Sequence, residues 1–540
     1  MKMKGQTQYP ESVAELASII KQAAPVCVAV GLAAAIGLVD VHLAGNLGPE
    51  VQAGVGIGDQ FLFFAALMGT GIAQAAGSLI ARANGAGRLS EAKSLARTGL
   101  LLALAIGAIA SIATYQGADC LISWFSHDRS AQSAGTTYLR LCAFANTAYC
   151  LMLTQSAILR AAGKSFSTVL PWLLAATISI VLSISLPQIM PAGRAHTLEY
   201  IALAWNLGAI AAVIVGHQQL KKTGFSLFSK DSKLGQNFDP DLARKAKDIL
   251  VLGLPIAATE AAWLSSNFFM YIILSHMPGA NDAQAAWTIR LKIEEIAATP
   301  VILAFNMTAA SLVGQRIGAG DLPGAQTLAR RTALTAATVM LVIGSIVLAN
   351  SKYLAADCAS TELCARYAQD LLVASIIVYP LTAYYITIFG ALEGAGCTLK
   401  PMLSVISGLF LLRTPLAAWL GLHLNTGMNG IVVSIVVSHI AVALSAVSFV
   451  KSFFEMRDRD EPGDEISEQH DVREFERTVK LFEAASHWKQ PATAPKFGRL
   501  AGEEGLASSR PAPQTSLEWR AISQASSGQG LAPANMAHRE

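Results

Sequence analysis

Apolar stretches of about twenty residues recur along almost the whole of this chain, and each is long enough to cross a bilayer core of ~30 Å as an α-helix. Only 14% of the 540 residues are charged, whereas soluble globular proteins carry roughly a quarter. The predicted spans lie near residues 20–44, 53–80, 98–123, 138–159, 168–190, 199–217, 249–277, 284–314, 332–350, 368–393, 401–424 and 428–450. The chain is therefore predicted to be an all-α membrane protein with about twelve transmembrane helices.

The basic residues are distributed unevenly between the loops. One set of alternate loops holds most of them, including segments 82–97, 221–247 and 316–331. The other set holds only Arg129, Arg194, Lys352 and Arg366. Because basic loops stay on the cytoplasmic side, we expect a multi-pass protein of the cell inner membrane with both termini in the cytoplasm.

Two segments of the chain are similar to each other. SLIARANGAGRLSEAKSLAR (78–97) and SLVGQRIGAGDLPGAQTLAR (311–330) are identical at ten of twenty aligned positions. The same alignment, continued along the chain without a gap, places LRAAG (159–163) on LEGAG (392–396). The sequence therefore predicts two pseudo-symmetric lobes of six helices each, in the same orientation. Transporters built from such repeats bind substrate between them, near the bilayer midplane.

The predicted organisation has four parts. An N-terminal six-helix lobe covers residues 1–220, and a basic cytoplasmic linker, residues 221–247, joins it to a C-terminal six-helix lobe, residues 248–454. Residues 455–540 form a cytoplasmic tail. Apolar residues at three- and four-residue spacing in EISEQHDVREFERTVKLFEAASHW predict a short amphipathic helix there, and the rest, rich in Ala, Ser, Gly and Pro, is predicted to be disordered.

Sequence motifs of enzymes are missing. We find no Walker A sequence, no nucleophile arrangement and no metal-ligand spacing among the seven scattered cysteines. We therefore expect a protein that is not an enzyme, with no catalytic residue, cofactor or metal. The expected partners are a small organic substrate and the lipid bilayer, without nucleic acid, and we expect a monomer. A receptor or assembly factor that acts through the tail is an open alternative.

Several fragments resemble the multidrug and toxic compound extrusion (MATE) transporters. The matching stretches are Pro25, Val39-Asp40 and Gly45–Gly48 in the first span, the turn Gly85–Gly87, Ala309–Asp321 in the eighth span and Leu392–Thr398 in the tenth. Together they cover about residues 15–453. The resemblance implies export of bulky, often cationic or aromatic, compounds in exchange for a cation.

Asp40 is the first candidate for binding the coupling cation. It lies inside an apolar span, where an ionised group at the membrane centre costs roughly 3 kcal/mol or more, so a functional role is favoured over an interfacial one. In the family, an Asn and an Asp of the fifth span join this residue, but here those positions hold Ser179 and Ser183. Asp40 is thus expected to lack a second carboxylate, which favours a proton over Na⁺.

Glu260 is the second candidate for cation coupling. The family's seventh-span Glu corresponds to Trp263 here, and its tenth-span Asp corresponds to Thr382. Glu260 lies three residues before Trp263, on roughly the same helical face. A snorkelling residue near the inner end of the span is the equal alternative.

A substrate cavity is expected to be apolar and aromatic with few polar groups. The predicted cavity residues are Trp263, Asn267, Met270, Asn306, Tyr384, Tyr385 and Arg290, although such residues also pack helices together. Arg290 and Glu294 have the i,i+4 spacing of an ion pair. Asp59 and Gln60 are weaker candidates, because polar residues in spans often form helix-to-helix hydrogen bonds.

The sequence thus predicts a secondary active exporter of organic compounds that works by alternating access between the two lobes. Proton uptake from outside would neutralise Asp40, repack the first span and release the substrate. The alternative is a flippase for lipids or lipid-linked sugars, which would hold a phosphate with Arg290, Lys292 and Arg413.

Overall fold

The computed structural model describes residues 11–125, 128–190, 196–225, 241–359, 361–424 and 426–457. These ranges contain α-helices and no strand. The α-helices are α1 (Glu11–Gly45), α2 (Pro49–Gly85), α3 (Leu89–Phe125), α4 (Arg129–Ala143), α5 (Ala145–Ala161), α6 (Val169–Ile189), α7 (Thr197–Thr223), α8 (Leu242–Leu274), α9 (Ala280–Ala297), α10 (Thr299–Gly318), α11 (Leu322–Cys358), α12 (Glu362–Val373), α13 (Ser375–Gly394), α14 (Leu399–Val405), α15 (Arg413–Ala418) and α16 (Met428–Arg457). A 3₁₀ turn (Ser165–Thr168) precedes α6, and π-helical turns (Ile406–Leu412 and Trp419–His423) flank α15.

The predicted number of membrane spans is confirmed. In the described ranges, ten helical segments are long and apolar enough to cross a membrane, and the number reaches twelve if each bent pair is one span. The bent pairs are α4 with α5, at 50°, and α9 with α10, at 49°. Many large apolar side chains on the long helices are exposed, as on Ile109, Ile346 and Leu444, which suits a surface that faces lipid.

A proline lies at the break between α9 and α10. Thr299 and Pro300 begin α10, and a proline in the first turn suits the start of a new helix because its missing N–H would be unpaired there in any case. In the alignment of the two repeats, Pro300 corresponds to Leu67, and α2 passes through that position unbroken. The charged residues of this segment therefore lie on a separate half-helix, just before a bend; they are Arg290, Lys292, Glu294 and Glu295.

Side-chain caps and glycines define several helix ends. The side chains of Asp128, Asp321 and Thr361 accept hydrogen bonds from the backbone three residues on, at 2.8, 2.9 and 3.0 Å. Such caps stabilise a helix by about 1 kcal/mol. Arg316 Nη1 also donates to the Asp321 carboxylate, at 2.6 Å, which lowers the pKa of Asp321 below its usual value. In the two predicted glycine turns, Gly87 and Gly320 adopt φ of 72° and 78°.

The two duplicated segments cross each other on the side of the protein that carries most basic residues. A Cβ atom on Gly85 would lie 2.0 Å from the Gln315 carbonyl oxygen, and one on Gly318 would lie 2.0 Å from that of Arg82. Gly85 and Gly318 are equivalent positions of the two repeats, and so are Arg82 and Gln315. The contact is therefore pseudo-symmetric. We call the close approach of these four residues the seam.

Hydrogen bonds between the two repeats reinforce the seam. Ser311 Oγ donates to the carbonyl oxygen of Arg160 at 2.9 Å, and Gln315 Nε2 donates to that of Ala161 at 3.0 Å. Nearer the middle of the bundle, Gln74 Nε2 donates to Asn306 Oδ1 at 2.9 Å. On the basic side, α10 thus holds the repeats together through its close approach to α2 and its hydrogen bonds to the end of α5.

Two predicted boundaries fall within helices. The predicted linker starts at residue 221 and ends at 247, but α7 continues to Thr223 and α8 begins at Leu242. Glu260 lies near the middle of α8. The predicted amphipathic helix and disordered segment of the tail lie outside the described residues.

Candidate functional site

Asp40 is buried near the end of α1, with 4% of its surface exposed. Helix α1 packs against α6, whose Ser183 is fully buried. The Ser183 hydroxyl faces the Asp40 carboxyl without closing a hydrogen bond of normal length. One turn away, Ser179 Oγ donates to the Ala204 carbonyl oxygen at 3.4 Å. The α6 positions thus contribute a hydroxyl to the surroundings of Asp40 and no charge.

Asp59 of α2 lies against the same face of α1. A Cβ atom on Gly37, three residues before Asp40, would lie 3.9 Å from Asp59 Oδ2, and the two carboxyl groups are within electrostatic reach of each other. The expectation that Asp40 lacks a second carboxylate was therefore wrong. The sequence indicated Asp59 only as part of a polar pair, Asp59-Gln60, within an apolar span. The position of this pair relative to α1 depends on how the helices pack.

Aromatic and small side chains enclose the two carboxyl groups. Tyr138 and Cys142 of α4 are buried and within electrostatic reach of both aspartates. Tyr149 of α5 forms an edge contact with Trp172, with ring centroids 5.9 Å apart, and a tilted contact with Trp205 at 6.0 Å. The carboxyl groups are thus held in surroundings that solvate a negative charge poorly.

Lys292 and Glu295 approach Asp59 from the second repeat. Lys292 Nζ lies 2.7 Å from Glu295 Oε2, and the two side chains are 51% and 48% exposed. Both are within electrostatic reach of Asp59. Asp59 and Lys292 align with each other, so an acid and a base occupy equivalent positions of the two repeats and face each other. Because the Lys292 and Glu295 side chains are about half exposed, accessible space lies beside Asp59, and we call this space the cleft.

The predicted ion pair between Arg290 and Glu294 is present and buried. Arg290 Nη2 lies 2.8 Å from Glu294 Oε2, and the two side chains are only 5% and 10% exposed. The Arg290 guanidinium also lies over the Trp287 ring, 4.8 Å from its centroid. On the half-helix α9, one pair thus points into the second repeat while the Lys292–Glu295 pair points out of it.

Substitutions on α9 test this difference. Glu294→Gln leaves a buried arginine without its counter-charge, so we expect it to destabilise the protein by about 3 kcal/mol or more. Glu295→Gln is the matched control, because its exposed pair contributes less than about 1 kcal/mol. The midpoint temperature of unfolding in detergent, followed by tryptophan fluorescence, compares the two variants. Equal midpoints would show that the buried pair contributes no more than the exposed one.

Arg413 is a functional candidate that the sequence did not place among the cavity residues. It is 1% exposed, and its Nη2 donates to Ser266 Oγ at 2.7 Å and to Asn267 Oδ1 at 3.0 Å. Ser266 Oγ in turn donates to the Leu409 carbonyl oxygen, which lies in a π-helical turn. Such turns leave the regular hydrogen-bonding pattern and occur often at functional sites.

The predicted cavity residues do not form one surface. Asn267, Arg290 and Tyr385 gather around Arg413 inside the second repeat. Met270 is fully buried in the apolar core, and Trp263 and Tyr384 pack, half-buried, against the cluster that contains Tyr385. Asn306 uses its amide in two hydrogen bonds, one from Gln74 and one to the Ile386 carbonyl oxygen at 2.9 Å.

Glu260 is half-buried and within electrostatic reach of Glu393 in α13. Glu393 is 5% exposed, and its Oε2 has no hydrogen-bond partner among the described residues. In the alignment of the two repeats, Glu393 corresponds to Arg160. The second repeat therefore contains an acidic pair of its own, of which the sequence suggested only Glu260.

Comparisons with known proteins agree with this architecture. The family model described as MatE matches residues 25–186 and 255–419. A probable multidrug resistance protein NorM of Thermotoga maritima is 25% identical over 407 residues, covering 73% of this chain and 83% of that protein. The multidrug resistance protein NorM of Vibrio cholerae is 23% identical over 387 residues, covering 70% and 82%.

Solved structures share the fold. One is an outward-facing conformation of a multidrug resistance MATE family transporter, with a TM-score of 0.75 and 18% identity, covering 85% of this chain and all of that one. Another is a variant of the Vibrio cholerae MATE transporter VcmN, with a TM-score of 0.75 and 16% identity, covering 82% and 98%.

Proposed function

Because this chain belongs to the MatE family of membrane transporters, we propose that it is a secondary active exporter that moves organic compounds out of the cell in exchange for protons. The observation that carries the proposal is the buried Asp40, inside the first membrane span of a two-repeat bundle. An ionised carboxyl group at such depth costs free energy, so its presence favours a functional role. Such a group is suited to bind and release a proton. The relatives' names point to multidrug export, and the same class of substrate is proposed here.

The proposed orientation follows from the basic loops. With the basic side in the cytoplasm, the seam closes the cytoplasmic side, and the cleft beside Asp59 opens outwards. A proton arriving from outside neutralises the site at Asp40, α1 repacks against α2 and α6, and the substrate leaves. Opening of the seam then exposes the site to the cytoplasm, where the proton is released and a new substrate binds. Both termini are cytoplasmic in this arrangement.

A proton is proposed in preference to Na⁺. The α6 side chains near Asp40 are the hydroxyls of Ser179 and Ser183, and Ser179 already donates to a backbone carbonyl. A Na⁺ ion needs several oxygen ligands arranged around it, whereas a proton needs one carboxyl oxygen. Because Asp59 adds carboxylate oxygens near Asp40, the experiment must compare transport driven by a proton gradient with transport driven by a Na⁺ gradient.

Flippase activity has less support. A flippase of this architecture would hold a phosphate with cationic side chains, but Arg290 and Arg413 are engaged by Glu294, Ser266 and Asn267 inside the second repeat. Lys292 remains, with half of its surface exposed and Glu295 as its partner. A single lysine whose charge is balanced by Glu295 would bind a phosphate only weakly.

Proteoliposomes test the proposal. The purified protein is reconstituted with ethidium as the organic cation, and transport is driven by a proton gradient or by a Na⁺ gradient of equal size. Proton-driven ethidium transport that needs no Na⁺ supports the proposal. Transport driven by Na⁺ alone would contradict proton coupling. Movement of a fluorescent phospholipid between leaflets, abolished by Lys292→Gln and without ethidium transport, would favour the flippase.

A further inference from the structure

We infer that Asp59 is the second carboxylate of the proton-binding site, supplied by α2 where α6 has only serines. The inference rests on the proposed proton-coupled export and adds a residue to the same site. Its starting observation is that the Asp59 carboxyl of α2 lies against the face of α1 that carries Asp40, close enough to interact with it electrostatically.

The geometry places Asp59 beside Asp40. Gly37 and Asp40 are one helical turn apart on α1, so their Cα–Cβ directions lie on the same face. Asp59 Oδ2 would be in van der Waals contact with a Cβ on Gly37, at 3.9 Å. The Asp59 carboxyl therefore lies next to the α1 backbone, one helical turn from Asp40.

The surroundings make a proton the natural ligand of the pair. The groups facing the two carboxyls are the Ser183 hydroxyl from α6, Tyr138 and Cys142 from α4, Tyr149 from α5, and Lys292 and Glu295 from α9. The first four groups are neutral hydroxyls and a thiol. Lys292 and Glu295 balance each other, at 2.7 Å. Asp40 and Asp59 therefore place two like charges close together, and one shared proton relieves their repulsion.

Asp59 also connects Asp40 with the cleft. Asp40 is almost fully buried, Asp59 is half-buried, and the Lys292 and Glu295 side chains beyond it are about half exposed. A proton from the cleft thus reaches Asp59 before Asp40. Since Lys292 belongs to the second repeat, the charge on the pair also acts on the attraction between the repeats across the cleft.

Charge-selective variants test the inference in the same ethidium proteoliposomes. Asp59→Asn is expected to lose proton-driven transport to the rate of liposomes without protein, whereas Asp59→Glu, which keeps the carboxylate, retains it. Asp119→Asn is the matched control in the same repeat. Its ion pair with Arg140 lies on the surface, where Asp119 is 68% exposed, so transport is expected to be unchanged.

Relocation of the carboxylate gives the sharper test. The double variant Asp59→Asn with Ser183→Asp moves the second carboxylate from α2 to α6, where residue 183 faces Asp40. We expect the double variant to regain transport. An inactive double variant, when Ser183→Asp alone is active, would contradict the inference. If Ser183→Asp alone is inactive, the comparison of Asp59→Glu with Asp59→Asn decides.

The outcomes separate this inference from the proposed function. If Asp59→Asn transports ethidium as fast as Asp119→Asn, or if Asp59→Glu is as inactive as Asp59→Asn, Asp59 is not a proton-binding carboxylate. Proton-coupled export then still stands on Asp40. If Asp40→Asn also transports at the wild-type rate, the assignment of proton coupling to Asp40 fails, whereas a wild-type protein without proton-driven ethidium transport overturns the proposed function itself.

Discussion

Asp40→Asn is expected to abolish proton-driven export and leave the protein folded. The substitution keeps the size of the side chain but removes the group that gains and loses the proton. Because Asn is neutral at every pH, the variant stays in the state that α1 adopts when the site is neutralised, and substrate transport cannot be tied to proton entry. We expect ethidium transport in proteoliposomes to fall to the rate of liposomes without protein.

Two measurements on the Asp40→Asn variant check its folding and its conformational state. A buried neutral amide is less costly than a buried carboxylate, so the midpoint temperature of unfolding is expected to equal or exceed that of the wild type. Equilibrium binding of ethidium without a gradient is expected to weaken, because the variant stays in the state from which the substrate leaves. A variant that still exports at the wild-type rate would assign Asp40 a structural role.

Gly318→Ala is expected to hold the protein open on its basic side. The added Cβ would lie 2.0 Å from the Arg82 carbonyl oxygen, a distance that the closed seam cannot accommodate without separating α2 from α10. Overpacking of this kind costs about 2 kcal/mol in the closed state, a shift of about thirtyfold in the equilibrium between the two states. The open state has no such contact, so the cost falls on one conformation only.

Gly56→Ala is the matched control for the seam. Gly56 lies in α2, and a Cβ atom there would have no neighbour within 4 Å. Ser78→Cys provides the readout, because Ser78 is 2% exposed and lies at the start of the duplicated segment. In inside-out vesicles, a membrane-impermeant maleimide is expected to label residue 78 about thirtyfold faster with Gly318→Ala and at the parent rate with Gly56→Ala. Equal labelling in both backgrounds would show that the seam does not control access.

Local patterns in the sequence were enough to predict the helical architecture. Length and apolarity predicted the spans, and the i,i+4 spacing predicted the Arg290–Glu294 pair, because both depend on residues close together in the chain. The duplication was also readable directly. The contact between the two duplicated segments could not be predicted, because the crossing at Gly85 and Gly318 depends on how two distant helices approach each other.

The composition of the candidate site depended on packing. Asp59 lies against α1 close to Gly37, one turn from Asp40, and no periodic pattern in the sequence encodes the relative depth of α1 and α2. Arg413 meets Ser266 and Asn267 through a π-helical turn, whose wider winding is not visible in the apolar pattern of its span. Glu393 and Glu260 lie on different helices, so their interaction also depends on how the helices pack.

Proton movement caused by the substrate tests the central claim most directly. Proteoliposomes are loaded with a pH-sensitive dye, ethidium is added without any imposed proton or Na⁺ gradient, and the internal pH is followed for the wild type and for Asp40→Asn. The account predicts that ethidium entry drives protons out of wild-type liposomes, so the interior becomes alkaline, and that Asp40→Asn produces no change. Ethidium entry into wild-type liposomes without a change in pH, or the same change with Asp40→Asn, would contradict proton-coupled export through Asp40.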